Sequence, residues 1–130
     1  ELVIMAHYAL LDENNVVLQV ITGKNEDEQR DGVDVNWEEW YKDFHGVADC
    51  KRTSYNTVQN QHTNGETPFR GNFAGEGMIY DADNDVFVYA KPFDSWVLDT
   101  DTWSWKPPIE HPEGEAKDWD EETGAWVDFP

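Results

Sequence analysis

Positive charge is what this chain has least of: 9 Lys and Arg stand against 28 Asp and Glu, a formal net charge of -19 at pH 7. Phosphate backbones and anionic lipid surfaces repel such a chain, so neither nucleic acid nor membrane is expected as a direct partner. Cysteine is nearly absent, and Cys50 alone cannot form an intramolecular disulfide. It lies between Ala48-Asp49 and Lys51-Arg52 in a predicted strand, where it reads as a small core residue. No apolar run is long enough to span a bilayer. Glu1-Leu2-Val3-Ile4 lacks the positive segment of a secretion signal, so none is expected, and Met5-Ala6-His7 reads as a natural start.

Catalytic and metal-binding patterns are missing as well. His7, His45, His62 and His111 are scattered, without the spacing or the cysteine partners of a zinc site. Asp81-Ala82-Asp83-Asn84-Asp85 begins like a calcium loop, but Val86 stands where such a loop needs Gly and no Glu occupies the twelfth position. Neither a Gly-x-Ser-x-Gly elbow nor a Walker-type loop occurs. The expectation is therefore no enzyme: no catalytic, cofactor-binding or metal-ligating residue is named.

What the chain does have is one short pattern four times over, at Leu11 to Leu18, Tyr80 to Phe87, Leu98 to Trp105 and Trp119 to Trp126. An apolar residue ends a strand, Asp opens a turn by accepting amides ahead of it, and a large apolar residue restarts the partner strand. Met5 to Leu11 with Val16 to Thr22 forms the first predicted hairpin, and Gly23 to Gly32 reads as a polar loop or short helical turn. Trp37, Trp40, Tyr41 and Phe44 follow helical spacing, with Trp37 and Trp40 expected in the core. Asn36 is placed to cap that helix and Gly46 to end it.

Beyond the helix, Gly46 to Tyr55 is expected to return as a strand, and Asn56 to Asn72 reads as uninterrupted loop. Phe73 to Tyr80 with Val86 to Ala90 forms the next hairpin, in which Gly75-Glu76-Gly77 suggests a bulge or close backbone approach. The fold class is mainly β (α+β), antiparallel hairpins or a meander with one short amphipathic helix and an aromatic-rich C-terminal hairpin arm. Residues 5–92 read as a β-rich core domain with a helix at about 36–45. Residues 93–130 read as a Trp- and Pro-rich arm packing on the core or on a partner. Trp96, Trp103, Trp105, Trp119 and Trp126 in that arm are the candidate interaction residues, with Trp103 and Trp105 expected on one strand face.

Arg52-Thr53-Ser54-Tyr55-Asn56, Arg70-Gly71-Asn72-Phe73-Ala74-Gly75-Glu76-Gly77, Lys91-Pro92-Phe93-Asp94-Ser95-Trp96 and Trp105-Lys106-Pro107-Pro108 form a series. With the opening Met5 to Asn15, that series resembles a family of small acidic proteins of tailed phages of marine bacteria, especially cyanophages. Thr57 to Phe69 and Val33 to Asp43 depart from the family pattern. The resemblance implies a virion-associated protein, without catalytic residues, that contacts other virion proteins or its own copies. The expected function is capsid decoration or cement, or a neck or tail part. The alternatives are an acidic inhibitor of a basic, DNA-binding host enzyme and a glycan-binding adhesin. The expected location is the virion, or the host cytoplasm during infection.

Overall fold

The structure is a computed structural model that describes residues 6–130. Met5, expected to open the first strand, and Glu1 to Ile4 lie outside the described residues. Strand β1 (Ala6–Leu11) runs antiparallel between β2 (Val17–Gly23) and β5 (Asp49–Thr53). Side chains alternate across a strand, and here both faces are covered. Ala6, Tyr8 and Leu10 join Trp37 and Cys50 on the helix side, while Ala9 and Leu11 join Val17, Ala74, Met78, Tyr80 and Phe87 on the other. Fully burying a side chain the size of Leu11 or Phe87 contributes about 1.5–3 kcal/mol, so these two clusters are the main apolar stabilisation.

Helix α1 (Trp37–His45) covers the first face. The Asn36 side chain accepts the Glu39 N–H at 3.2 Å, and Glu38 and Glu39 sit at the positive end of the helix dipole. Gly46 closes the helix at φ 65, with its N–H on the Asp43 carbonyl and the Val47 N–H on that of Lys42. Trp37 is buried, and Trp40, half-buried, packs against the same cluster from its edge. Phe44 is 69% exposed and stacks on Trp40, ring centroids 5.1 Å apart, because the last helical turn runs beyond the covered surface. Among the described residues no helix is long and apolar enough to cross a membrane.

Two segments expected as loops contain hairpins. Within Gly23 to Gly32 and just beyond, β3 (Gln29–Arg30) pairs with β4 (Val33–Asp34) around Asp31 and Gly32, both at positive φ. Asp-Gly is a strong two-residue hairpin signal that the surrounding charges obscured. Likewise β6 (Thr57–Val58) pairs with β7 (Gln61–His62) around Gln59 and Asn60, again both at positive φ. Phe73 to Met78 is not strand: Gly77, at φ 84, allows a turn in which the Met78 N–H meets the Gly75 carbonyl. That turn brings the Gly77 N–H to the Val17 carbonyl at 2.9 Å, the close approach its glycines suggested.

Three further hairpins follow, β8 (Ile79–Asp81) with β9 (Val86–Val88), β10 (Val97–Asp99) with β11 (Ser104–Lys106), and β12 (Asp118–Asp120) with β13 (Ala125–Val127). Asp12, Asp81, Asp99 and Asp120 each accept a backbone amide ahead of them, so all four repeated tips close on their own carboxylate. In the last three tips the final turn residue is left-handed: Asp85 at φ 55, Trp103 at φ 53 and Gly124 at φ 65. Trp103 is therefore a turn residue, and its expected sharing of a strand face with Trp105 is corrected. So bulky a residue stays left-handed only under outside constraint. Its ring covers Gly71, where an added Cβ would stand 2.9 Å away, and its carbonyl accepts from the Asn72 amide at 3.0 Å.

Buried Asn72 ties three segments at once. Its Nδ2 also donates to the Phe87 carbonyl at 2.9 Å, and its Oδ1 accepts the Gln59 N–H at 2.9 Å. Asn72→Ala is expected to destabilise the protein by roughly 2–4 kcal/mol, since each orphaned buried group costs about 1–3 kcal/mol. Exposed Asn84→Ala is expected to cost less than about 0.5 kcal/mol. Urea unfolding of both variants checks the difference, and equal losses would contradict the role given to Asn72.

Candidate interaction surface

The C-terminal segment builds an aromatic interior of its own. Trp119, buried, meets Trp126 at 5.2 Å and Trp96 at 6.2 Å between ring centroids, and Phe93 and His111 flank the group at 5.7 and 4.6 Å. Indole N–H groups need acceptors when covered. That of Trp126 donates to the Ile109 carbonyl at 2.7 Å, and that of Trp119 to the Glu121 carboxylate at 2.9 Å. The same carboxylate takes the Ser95 hydroxyl at 2.6 Å, which fastens Trp96's turn to the last hairpin. The Ser95 and then the Trp119 bonds hold the Glu121 carboxyl below its ordinary range.

The structure thus brings Trp96, Trp119 and Trp126 together and leaves Trp103 and Trp105 apart from them. Trp103 lies over Gly71, and the Trp105 indole donates to the Tyr89 carbonyl at 2.6 Å. None of the five is an exposed side chain. Solvent meets Val97, Ile109, Val127 and Phe129 instead. Sequence reasoning chose the tryptophans by size and missed these smaller apolar groups, whose signal is a position facing away from a tryptophan or beside a proline.

A second surface is a groove of about 500 Å³ between the first hairpin tip, β8–β9 and β10–β11. Asn14, Asn15, Asp83, Tyr89, Lys91 and Trp105 line it. Tyr89 is 64% exposed, and the Lys91 amine stands 5.7 Å from the Trp105 ring. Aromatic faces bordered by amides and carboxylates suit a ligand with one apolar face and hydroxyl edges.

The third arrangement is a charged clamp centred on Arg70. Its Nη1 donates to Glu38 Oε2 and to the Arg52 carbonyl, both at 2.8 Å, and its Nε donates to Asp85 Oδ1 at 2.8 Å. Glu38 Oε2 also accepts the Arg52 N–H at 2.7 Å, and the Tyr80 hydroxyl donates to Asp85. Arg52 lies 4.0 Å over the Phe69 ring and pairs with Glu26. These groups border a cleft of about 370 Å³ lined also by Tyr8 and Trp37. Because each charge is committed to a neighbour, the clamp joins α1, β5 and the β8–β9 tip and holds no idle acid or base.

Among the described residues no group of three or more His, Cys, Asp or Glu is arranged to hold a metal ion. No protein-family model, curated protein or solved structure matches the chain.

Burial, reinforced by Glu38 and Asp49, pushes the Cys50 thiol from 9.0 up to about 12. Burial, with Tyr41 next, moves the Tyr8 hydroxyl from 10.0 up to about 12. Both acids keep their protons in the folded state while the unfolded chain releases them. The stability they contribute is thus complete below about pH 9 and is lost as pH rises towards 12. The urea midpoint is expected to fall between about pH 8 and about pH 10.5. Cys50 is expected to react with a thiol reagent on the order of 100-fold faster after unfolding. A rising midpoint, or rapid labelling of the folded protein, would contradict these assignments.

Proposed function

We propose that this protein is a non-enzymatic virion component of a tailed phage, acting in capsid decoration or cement or in the neck or tail through protein contacts. The observation that carries this reading is the exposure of Val97, Ile109, Val127 and Phe129 along the same C-terminal segment that packs Trp96, Trp119 and Trp126 on one another. Several large apolar side chains left in water on so acidic a chain are what a contact surface would use. The resemblance to small acidic phage proteins gives that contact its setting. Repeated copies on a particle would make weak individual contacts sufficient.

Mass spectrometry of purified virions against infected-cell lysate tests the reading. The protein is expected in particles, near the copy number of the major capsid protein for decoration or a handful per particle for a neck or tail part. Presence in lysate alone would overturn it and favour the acidic inhibitor, whose binding to a basic host enzyme would weaken with salt. Phe129→Ser with Val127→Ser is expected to lower incorporation by about tenfold or more with little change in thermal midpoint, since both side chains are exposed.

The groove beside Tyr89 favours a second reading as a glycan-binding protein. Tryptophan fluorescence is then expected to change on titration with host polysaccharide and to stop changing in Tyr89→Ala. A silent titration removes this reading.

A further inference from the structure

The outer edge of β2 is closed at both ends and open between them. Val17 donates its N–H to the Met78 carbonyl and accepts the Gly77 N–H, so its backbone groups point away from β1. A bulge follows: Leu11 faces Val17, Leu10 faces Gln19, and Leu18 is the extra residue. From there, antiparallel alternation turns Gln19, Ile21 and Gly23 towards β1 and leaves Val20, Thr22 and Lys24 pointing outward. Lys24 is satisfied by two tyrosines, its N–H on the Tyr41 hydroxyl at 2.9 Å and its carbonyl under the Tyr8 hydroxyl at 2.6 Å. Among the described residues nothing bonds the outward groups of Val20 and Thr22.

This edge also lacks the usual protection. Solvent-facing edge strands carry lysine, proline or other charges that discourage pairing. Asn14 to Gly23 carries no charged residue and no proline, in a chain of net charge -19. Leu18 and Thr22 are exposed along it.

We propose that the gap is filled by the same gap of a second copy, giving a two-fold dimer with antiparallel β2 strands and a continuous six-stranded sheet. A two-fold axis at Ile21 sets Val20 of each copy opposite Thr22 of the other. Two outward residues at i and i+2 are self-complementary in that arrangement, so each copy supplies what the other lacks. Charge also favours a second copy placed here, because no acidic residue lies between Asn14 and Gly23 to meet its counterpart across the seam. The remaining surfaces repel, so association strengthens as salt screens them, opposite in sign to binding through an acidic face. The paired segment is short and places the dimer among weak, transient interfaces. The inference is independent of any place in a virion.

Sedimentation equilibrium of the full chain at about 50 and about 500 mM salt tests it, with dimerisation expected to tighten about tenfold at the higher salt. Thr22→Pro removes an outward N–H that β1 does not use, and is expected to weaken the dimer at least tenfold. Thr22→Glu, at an exposed position, sets two like charges at the seam and is expected to do the same without disturbing the fold. Hydrogen exchange of the wild type is expected to show the Val20 and Thr22 amides slowing as protein concentration rises, while exposed tips stay unchanged. A chain monomeric at millimolar concentration in both salts would overturn the proposal, and so would a dimer indifferent to both substitutions.

Discussion

The sandwiching of β1 is the constraint on which the other elements depend. Five of its six residues send side chains into two separate clusters, one under the helix and one under the β8–β9 hairpin. Strands of two or three residues cannot bury enough surface to stand alone, so the remaining hairpins need something besides apolar area. Buried polar side chains supply it by bonding the backbone of neighbouring segments. Thr53 Oγ1 accepts the Ala74 N–H at 2.9 Å and Thr57 Oγ1 the Phe69 N–H at 3.0 Å, alongside Asn72 and the Arg70 clamp. In a low-dielectric interior such bonds are stronger than at the surface, and each is costly to leave unmade.

How much was legible in the sequence follows from how local each cause is. The helix with its Asn36 and Gly46 caps, and the four tips opening on Asp12, Asp81, Asp99 and Asp120, are fixed by residues within one turn of each other. Their patterns are visible without knowing the fold. Thr57, Asn72 and Arg70 read as ordinary loop residues because the groups they bond lie up to 32 positions away. Trp103 misled for a related reason: alternation implied a strand face, whereas a distant glycine and a distant amide hold it in the turn. At the candidate surface, three of the five tryptophans converge, but the side chains left to face solvent depended on which side of each hairpin those tryptophans took.

Acidic side chains do two kinds of work here. Some act within their own turns or pair with Arg52 and Arg70, so their charge is spent inside the fold. Most of the others face water and keep the molecule apart from anything negative. Charge is sparse in two places, the exposed apolar side chains of the C-terminal segment and the edge of β2.

Asn72 also sets an order on how the protein is made. The Trp103 carbonyl that receives its amide lies 31 residues further along the chain. A ribosome adding about 5–20 residues per second needs about 2–6 s to supply that acceptor. Throughout that interval the nascent chain carries an amide N–H on Asn72 awaiting its acceptor at the centre of its tethered loops. The bonding of the central region is therefore finished only once the chain reaches Trp103, and a messenger truncated before that codon would encode a product whose Asn72 lacks one of its acceptors.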